Sequence, residues 1–372
     1  MRTVRRLLYA DVLRAVAFVA LAFLSLFFFI DFVEELDNVG RGLYEVQHAA
    51  LYCLLQLPGH FYELFPIAVL IGSIFAMARL AQSSEFTILR TGGLGPGRAL
   101  GLLAMLGLAF GLVTFVVGDY AGPYFDAKAD SLRGGLRGDA ARGANSAWLK
   151  DRRVAAPGEE PPGERIDSIN VGHVGASGRL EDVRIYEFSA DGEMLARIAA
   201  ERGQVEDGAW LLSDVRITRW QPGEGGRLPA DEQLVELRWT TQLSPAVVGA
   251  SVSPLRSMST VDLYRYMSHL SDNEQAAQRQ EIQFWKKALY PLACLVMVGL
   301  ALPFAYLHAR SGGVSVKVFG GILLGISFVL LSNVSTHLGL LRDWTPWVAA
   351  AAPSVIYLLL SLAAFSWLVR YR

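Results

Sequence analysis

Phe61-Tyr62-Glu63-Leu64-Phe65-Pro66-Ile67-Ala68-Val69-Leu70-Ile71-Gly72-Ser73-Ile74-Phe75-Ala76-Met77-Ala78 carries a single formal charge, at Glu63. As a helix, a run of this length reaches across most of the roughly 30 Å hydrocarbon core of a bilayer. Five more runs read the same way: Val12 to Ile30, Ala99 to Val117, Ala288 to Leu307, Val318 to Leu338 and Trp347 to Val369. Arg2, Arg5 and Arg6 precede the first run as in a signal peptide. That run is too long for a signal-peptide core, and Phe27 to Phe32 offers no small-residue cleavage site, so it reads as a membrane span.

Composition agrees with lipid as part of the solvent. The 372 residues are 52% hydrophobic and only 19% charged, against about 25% charged in a typical soluble protein. Mean hydropathy is +0.33. A net charge of −1 argues against a nucleic-acid partner. The two cysteines, Cys53 and Cys294, lie in apolar stretches and read as small buried hydrophobes rather than a disulfide or zinc site.

The acids are unevenly placed: 25 of the 35 Asp and Glu residues fall between Ala121 and Phe284. The chain therefore divides into spans one to three (1–120), a polar insert (121–284) and spans four to six (285–372). Arg2, Arg5, Arg6, Arg79, Arg90, Arg98, Arg310, Lys317, Arg370 and Arg372 all fall on one side if the spans alternate. The loop from Asp31 to Pro58 carries five acids against Arg41 alone. Short-loop cations mark the cytoplasmic side, which puts both termini inside and the insert outside.

Inside the insert the period becomes two. Val183 to Phe188, a turn at Ala190-Asp191-Gly192, and Met194 to Ile198 read as strand, turn and strand. Trp210 to Leu212, Val215 to Trp220 and Leu234 to Trp239 are further short strands, and Ala155 to Gly163 reads as a solvated loop. The fold class expected is thus membrane α-helical, six helices as three plus three, with an inserted all-β jellyroll-like domain.

Catalytic signatures are missing from the sequence. The six histidines (48, 60, 173, 269, 308 and 337) have no metal-ligand spacing. Gly92-Gly93-Leu94-Gly95-Pro96-Gly97-Arg98 has glycines like a phosphate loop but lacks its Lys-Ser/Thr, and reads as a turn. Ser83-Ser84-Glu85-Phe86-Thr87-Ile88-Leu89-Arg90-Thr91-Gly92 opens on N-cap residues, places an acid in the first turn and ends on glycine, the pattern of a short helix near 83–91. Phe86, Leu89 and Arg90 near one face suit a partner's groove; a helix lying in the membrane interface is the other reading.

Phe65-Pro66-Ile67-Ala68-Val69-Leu70-Ile71-Gly72, Leu80 to Glu85, the Gly92-Gly93 turn, Trp148-Leu149-Lys150-Asp151 and Gly321-Ile322-Leu323-Leu324-Gly325 together resemble the LptF/LptG permease family of the lipopolysaccharide exporter. The resemblance spans essentially the whole chain and is greater to the LptG branch. It implies a non-catalytic half of an ABC transporter's membrane part in the bacterial inner membrane. The implied partners are LptF, a dimer of the ATPase LptB that binds ATP and Mg, LptC and LptA. The cargo is lipopolysaccharide, which the β domain passes onward. The short helix would be the coupling helix, with Ser84, Glu85, Phe86, Ile88, Leu89 and Arg90 on LptB. Spans one, two and five would line the lipid cavity, with Phe65, Leu70, Ile74, Phe328 and Leu331 as acyl-chain contacts or, on the plainer reading, helix packing.

Where relatives place lysines for lipid A phosphates, this chain has Asp31-Phe32-Val33-Glu34-Glu35-Leu36-Asp37-Asn38. Asp31 there calls for a bridging cation or a less anionic headgroup. Arg41, Lys286 and Lys287 are the substitute cations. The alternatives are an LptF-like subunit, a membrane-anchored lipid-binding or scaffold protein without ATPase coupling, and a secondary transporter; the last would carry ionisable groups at mid-span, which these runs almost lack.

Overall fold

The computed structural model describes residues 2–83, 85–93, 95–137, 147–154, 164–174, 179–206, 208–223, 226–241, 243–252, 257–272, 277–306 and 313–370. The chain forms two compact units: residues 1–40, 44–131 and 281–372 make one, and 41–43 with 132–280 the other.

The first unit is helical. Among the described residues, six helices are long and apolar enough to cross a membrane. They are α1 (Arg2–Glu35), α2 (Val46–Gln82), α4 (Pro96–Val116), α8 (Gln278–Tyr306), α9 (Val314–Leu341) and α10 (Pro346–Arg370). Between α2 and α4 lies the short α3 (Glu85–Thr91), and α4 runs through a π-helical turn (Val117–Ala121) into α5 (Gly122–Arg137). The expected second span began at Phe61, whereas α2 starts at Val46, behind a capping box in which Glu45 and His48 bond each other's backbone. Most of the expected outer loop is thus helix, because Ala49 to Leu57 is apolar enough to pack. Pro58 and Pro66 sit inside α2. Each removes one backbone bond, a loss that packing by neighbouring helices offsets.

Helices in lipid gain nothing from excluding lipid, so they associate through close packing at small residues. Gly72 of α2 lies so near α1 that an added Cβ would stand 2.6 Å from the Val16 backbone. Gly321 and Gly325 of α9 lie against the side chains of Ile74 and Ile67, whose methyl groups would stand 2.7 and 2.8 Å from an added Cβ, while Gly320 faces open space. Gly107 and Gly111 of α4 approach Leu295 and Pro291 of α8 at 2.9 and 2.7 Å. Around these contacts a single cluster forms from Leu8, Val12 and Val16, α2 residues from Phe65 to Leu80, Leu103, Phe110, Cys294, Met297 and Phe328. Cys53 and Cys294 are free and buried, as the sequence suggests.

The second unit holds one six-stranded antiparallel sheet with strands in sequence order: β1 (Ala147–Val154), β2 (Glu164–Val174), β3 (Arg179–Ser189), β4 (Met194–Glu206), β5 (Ala209–Gly223) and β6 (Gly226–Thr240). The helices α6 (Pro245–Val252) and α7 (Thr260–Asp272) follow. The predicted turn at Asp191-Gly192 is present, with Gly192 at φ +81°. Trp210 to Leu212 and Val215 to Trp220, read as two strands, are one strand with a break at Asp214, φ +58°. Asp182 does the same in β3 at φ 52°. Asp tolerates this left-handed backbone, and on either side of it both Leu180 and Val183, and both Leu212 and Val215, are buried in the core. Strands β1 and β2 and helices α5 to α7 escaped the sequence reading, and the Ala155 to Gly163 loop lies outside the described residues.

Gly72→Val forces a branched side chain onto backbone and is expected to cost at least about 1–3 kcal/mol of stability. Gly320→Ala meets nothing and gains about 1 kcal/mol of helix propensity. Thermal unfolding of the purified protein in detergent should rank them below and at or above the parent chain.

Candidate coupling and lipid-contact sites

Helix α2 is capped by Ser83, whose amide donates to the Arg79 carbonyl at 2.9 Å, and α3 begins two residues later. Glu85 sits in its first turn, where the helix dipole favours an acid. Gly93 at φ +97° then reverses the chain into α4, and Arg98 donates to the Gly93 carbonyl at 3.2 Å, so these glycines form a connecting turn.

The orientation of α3 differs from what its sequence suggests. Phe86 is only 3% exposed and meets the Tyr306 ring of α8 edge-on at 5.0 Å. Leu89 packs against the same bundle core. These two side chains hold α3 to the helices, and Glu85, Thr87 and Ile88 form its exposed side, Ile88 at 67%. Ser84 lies outside the described residues, and Arg90 is placed by its backbone alone. Nearby, Arg79 of α2 and the buried Asp11 of α1 form an ion pair at 2.9 Å that joins the same ends of the two helices.

At the opposite end, Asp31 of α1 is engaged by His60 of α2 at 2.6 Å, with the Phe27 ring 5.3 Å from the imidazole. Lys287 is 8% exposed, its Nζ 5.9 Å over the Tyr62 ring. Lys286 is half-buried and Arg41 exposed. Gly118 in the π-helical turn lies directly against the Tyr62 ring, and Tyr290 donates to the Glu63 carbonyl at 2.5 Å.

The five residues expected to touch acyl chains pack together inside this chain. Phe65 stacks on Phe61 and meets Phe110 edge-on, Phe328 meets Tyr357 edge-on, Leu70 and Ile74 are fully buried, and Leu331 is half-buried against them. The apolar surface of spans one and five instead comes from Phe18, Leu21 and Phe29 on α1 and Phe319, Leu323, Ile326, Leu330 and Val334 on α9. Those α9 positions recur every three or four residues, one stripe of a helix. The signal was present, but spans apolar on every side hide which stripe is outward.

The β domain carries a second polar constellation. Asp151, Asp167 and Glu187 are direct cross-strand neighbours on β1, β2 and β3, and all are buried. Arg153 donates to Asp167 at 2.7 Å and Glu187 at 2.6 Å, and Arg165 donates to Glu187 at 3.2 Å. Burial drives the Asp167 carboxyl up to about 7; Arg153 opposes the rise, and Glu187 and Asp151 add to it.

The profile of the family described as lipopolysaccharide export system permease LptF/LptG matches residues 6–368. The chain belongs to this family. It is similar to the lipopolysaccharide export system permease protein LptG of Escherichia coli K12, 26% identical over 339 residues that cover 90% of this chain and 89% of the relative. It is equally similar to that of Haemophilus influenzae Rd, 26% over 366 residues covering 96% of each. As a family member, it is a permease component of a lipopolysaccharide export system and a multi-pass membrane protein.

Phe86→Ala should loosen α3 at a cost of about 3–5 kcal/mol if the core there behaves as a typical buried Phe site. Trypsin cleavage at Arg90 should accelerate with it, whereas Ile88→Ala should leave both the unfolding temperature and cleavage unchanged.

Proposed function

We propose that this chain is an LptG-like half of the membrane part of an ABC transporter that lifts lipopolysaccharide out of the inner membrane. Its partner half is an LptF-like permease, and ATP with Mg is bound and hydrolysed in an LptB dimer. LptC and LptA receive the lipid. The observation that carries this reading is α3: a short helix on the cation-rich side of the membrane, seated on the bundle by Phe86 and presenting Glu85, Thr87 and Ile88 outward. An anchored helix of this kind is what a non-catalytic permease needs to take up motion from an ATPase. Cations in the short loops favour cytoplasmic termini and a periplasmic β domain.

In this mechanism, closure of LptB displaces α3, and the rigid packing around α2 carries the displacement along the spans. The stripes on α1 and α9 meet lipid chains and the paralogous half. No bond is made or broken by this chain. Arg41 and Lys286 are the cations available to lipid A phosphates. Asp31 is tied to His60, and a phosphate near it needs a divalent cation between them.

That the relatives compared carry the name LptG favours that branch over LptF. Co-purification decides it: an LptG-like chain captures LptF in a one-to-one membrane half, and an LptF-like chain captures LptG.

Glu85→Arg, placed on the exposed side, should reduce ATP-dependent release of lipopolysaccharide from proteoliposomes containing all three subunits by tenfold or more without unfolding the chain. Undiminished release would remove α3 from the coupling path.

A further inference from the structure

Along β1 the run Trp148-Leu149-Lys150-Asp151 alternates between two faces: Leu149 and Asp151 are buried inside the β domain, and Trp148 stands outside it, 65% exposed. A ring of that size left in water contributes little burial to the fold. It is not alone on that face. Tyr186 of β3 lies near-parallel to it, 19° between the planes and 6.1 Å between the centroids. Ser168 of β2, the register partner of Tyr186, is small enough to let the two rings meet across the strand between them. The Arg197 guanidinium of β4 stands 5.9 Å over the Tyr186 ring.

Ala199 of β4 leaves a gap in the same face. Its register partners are Arg184 on β3 and Arg216 on β5, and Arg197 precedes it by two residues on its own strand. Strands stand about 4.8 Å apart, and residues on one face recur about every 6.7 Å along a strand, so three long arginine side chains reach the space above the Ala199 methyl group. Arg197 and Arg216 are exposed, and among the described residues neither makes an ion pair. Arg184 is held by Asp182 through two bonds, at 2.9 and 3.2 Å. The other acids near the gap are Glu201, two residues beyond Ala199, Asp214, which pairs with Arg202 at 3.1 Å, and Asp231, which accepts from Thr218 at 2.6 Å. Like charges set side by side on a sheet repel, and an anion seated among them relieves the repulsion.

We propose that the outer face of the β sheet binds a phosphorylated saccharide, with a phosphate over Ala199 held by Arg184, Arg197 and Arg216 and a sugar ring against Trp148 and Tyr186. Each part of the face selects its part of the ligand. Guanidiniums pair with phosphate oxygens two bonds at a time. The C–H face of a pyranose ring is apolar and stacks on an indole or phenol ring, while its hydroxyls meet small polar side chains, here Ser168, Asn170 and Thr218. A protein partner needs a broader apolar centre than two rings set among such side chains. The cargo of a lipopolysaccharide export system carries a phosphorylated saccharide, and its assignment as the ligand rests on the permease reading. Through this site the β domain holds the cargo by its headgroup.

The test uses the full chain assembled with its permease and ATPase partners, with a fluorinated reporter at Gln233→Cys, the register partner of Arg216 on β6. The probe is fully deacylated lipopolysaccharide, which keeps the phosphorylated saccharide and lacks the acyl chains; inorganic phosphate and polyglutamate are the competing probes. A saturable shift of the reporter by the saccharide is expected. Its affinity should fall about tenfold when Arg197→Ala and Arg216→Ala are combined, and as much when the saccharide is stripped of phosphate. Trp148→Ala should weaken the saccharide about fivefold and leave the response to inorganic phosphate unchanged. Arg202→Ala, at an exposed arginine outside the ring, should bind as the parent chain does. All of these side chains are exposed, so the unfolding temperature should stay that of the parent chain. No reporter shift, undiminished affinity in the double arginine variant, or equal affinity for inorganic phosphate or polyglutamate overturns the saccharide site. A complex that binds the saccharide here but releases no lipopolysaccharide with ATP instead overturns the permease reading and leaves the site standing.

Discussion

Close approach to α2 is the constraint on which the helical unit rests. Without a hydrophobic force between helices in lipid, the contacts at Gly72, Gly321 and Gly325 must supply dispersion and fit. Gly72 sets α1 against α2 with no room for a Cβ, and at Gly321 and Gly325 a Cβ would displace the side chains of Ile74 and Ile67. Helix α2 is therefore held on two sides and moves with its neighbours or not at all. Phe86 extends this rigidity to α3 through Tyr306 of α8, so a force applied to the exposed side of α3 has a continuous packed path into the spans.

The two units solve opposite solvent problems. In the helical unit the outer faces are apolar, and two buried hydroxyls find backbone: Thr114 donates to the Phe110 carbonyl at 2.8 Å and Ser335 to that of Ala349 at 2.7 Å. The β domain hides aliphatic side chains from water and, with them, a group of charges that an apolar core of the same volume could replace at no loss of stability. Such a group fixes register instead. It ties β1, β2, β3 and β6 together through Asp151, Asp167, Glu187, Trp239 and Thr241.

Much of this was written in the sequence. Runs nearly free of charge located all six spans, and a turn at Asp191-Gly192 located the central hairpin. What stayed hidden has physical reasons. The start of α2 at Val46 was masked by Pro58, which reads as a break but is tolerated inside a packed membrane helix. Strands β1 and β2 were masked by Asp151, Arg153, Arg165 and Asp167, charged residues at inward positions where alternation calls for apolar ones. The face of α3 could not be read because Phe86 and Leu89 look the same in sequence whether they anchor to a partner or to their own bundle. For the same reason Phe65, Leu70, Ile74 and Phe328 read equally as acyl-chain contacts or as helix packing, and in this chain they pack in its core.

In the proposed coupling, α3 is held to the bundle by one side and offers the other to an ATPase. A photoreactive residue placed at Ile88, and separately at Phe86, in the complex assembled with LptB tests it most directly. A crosslink to LptB is expected from position 88, and crosslinks only within this chain from position 86. Crosslinks to LptB from 86 alone, or from neither position in an intact complex, would contradict it.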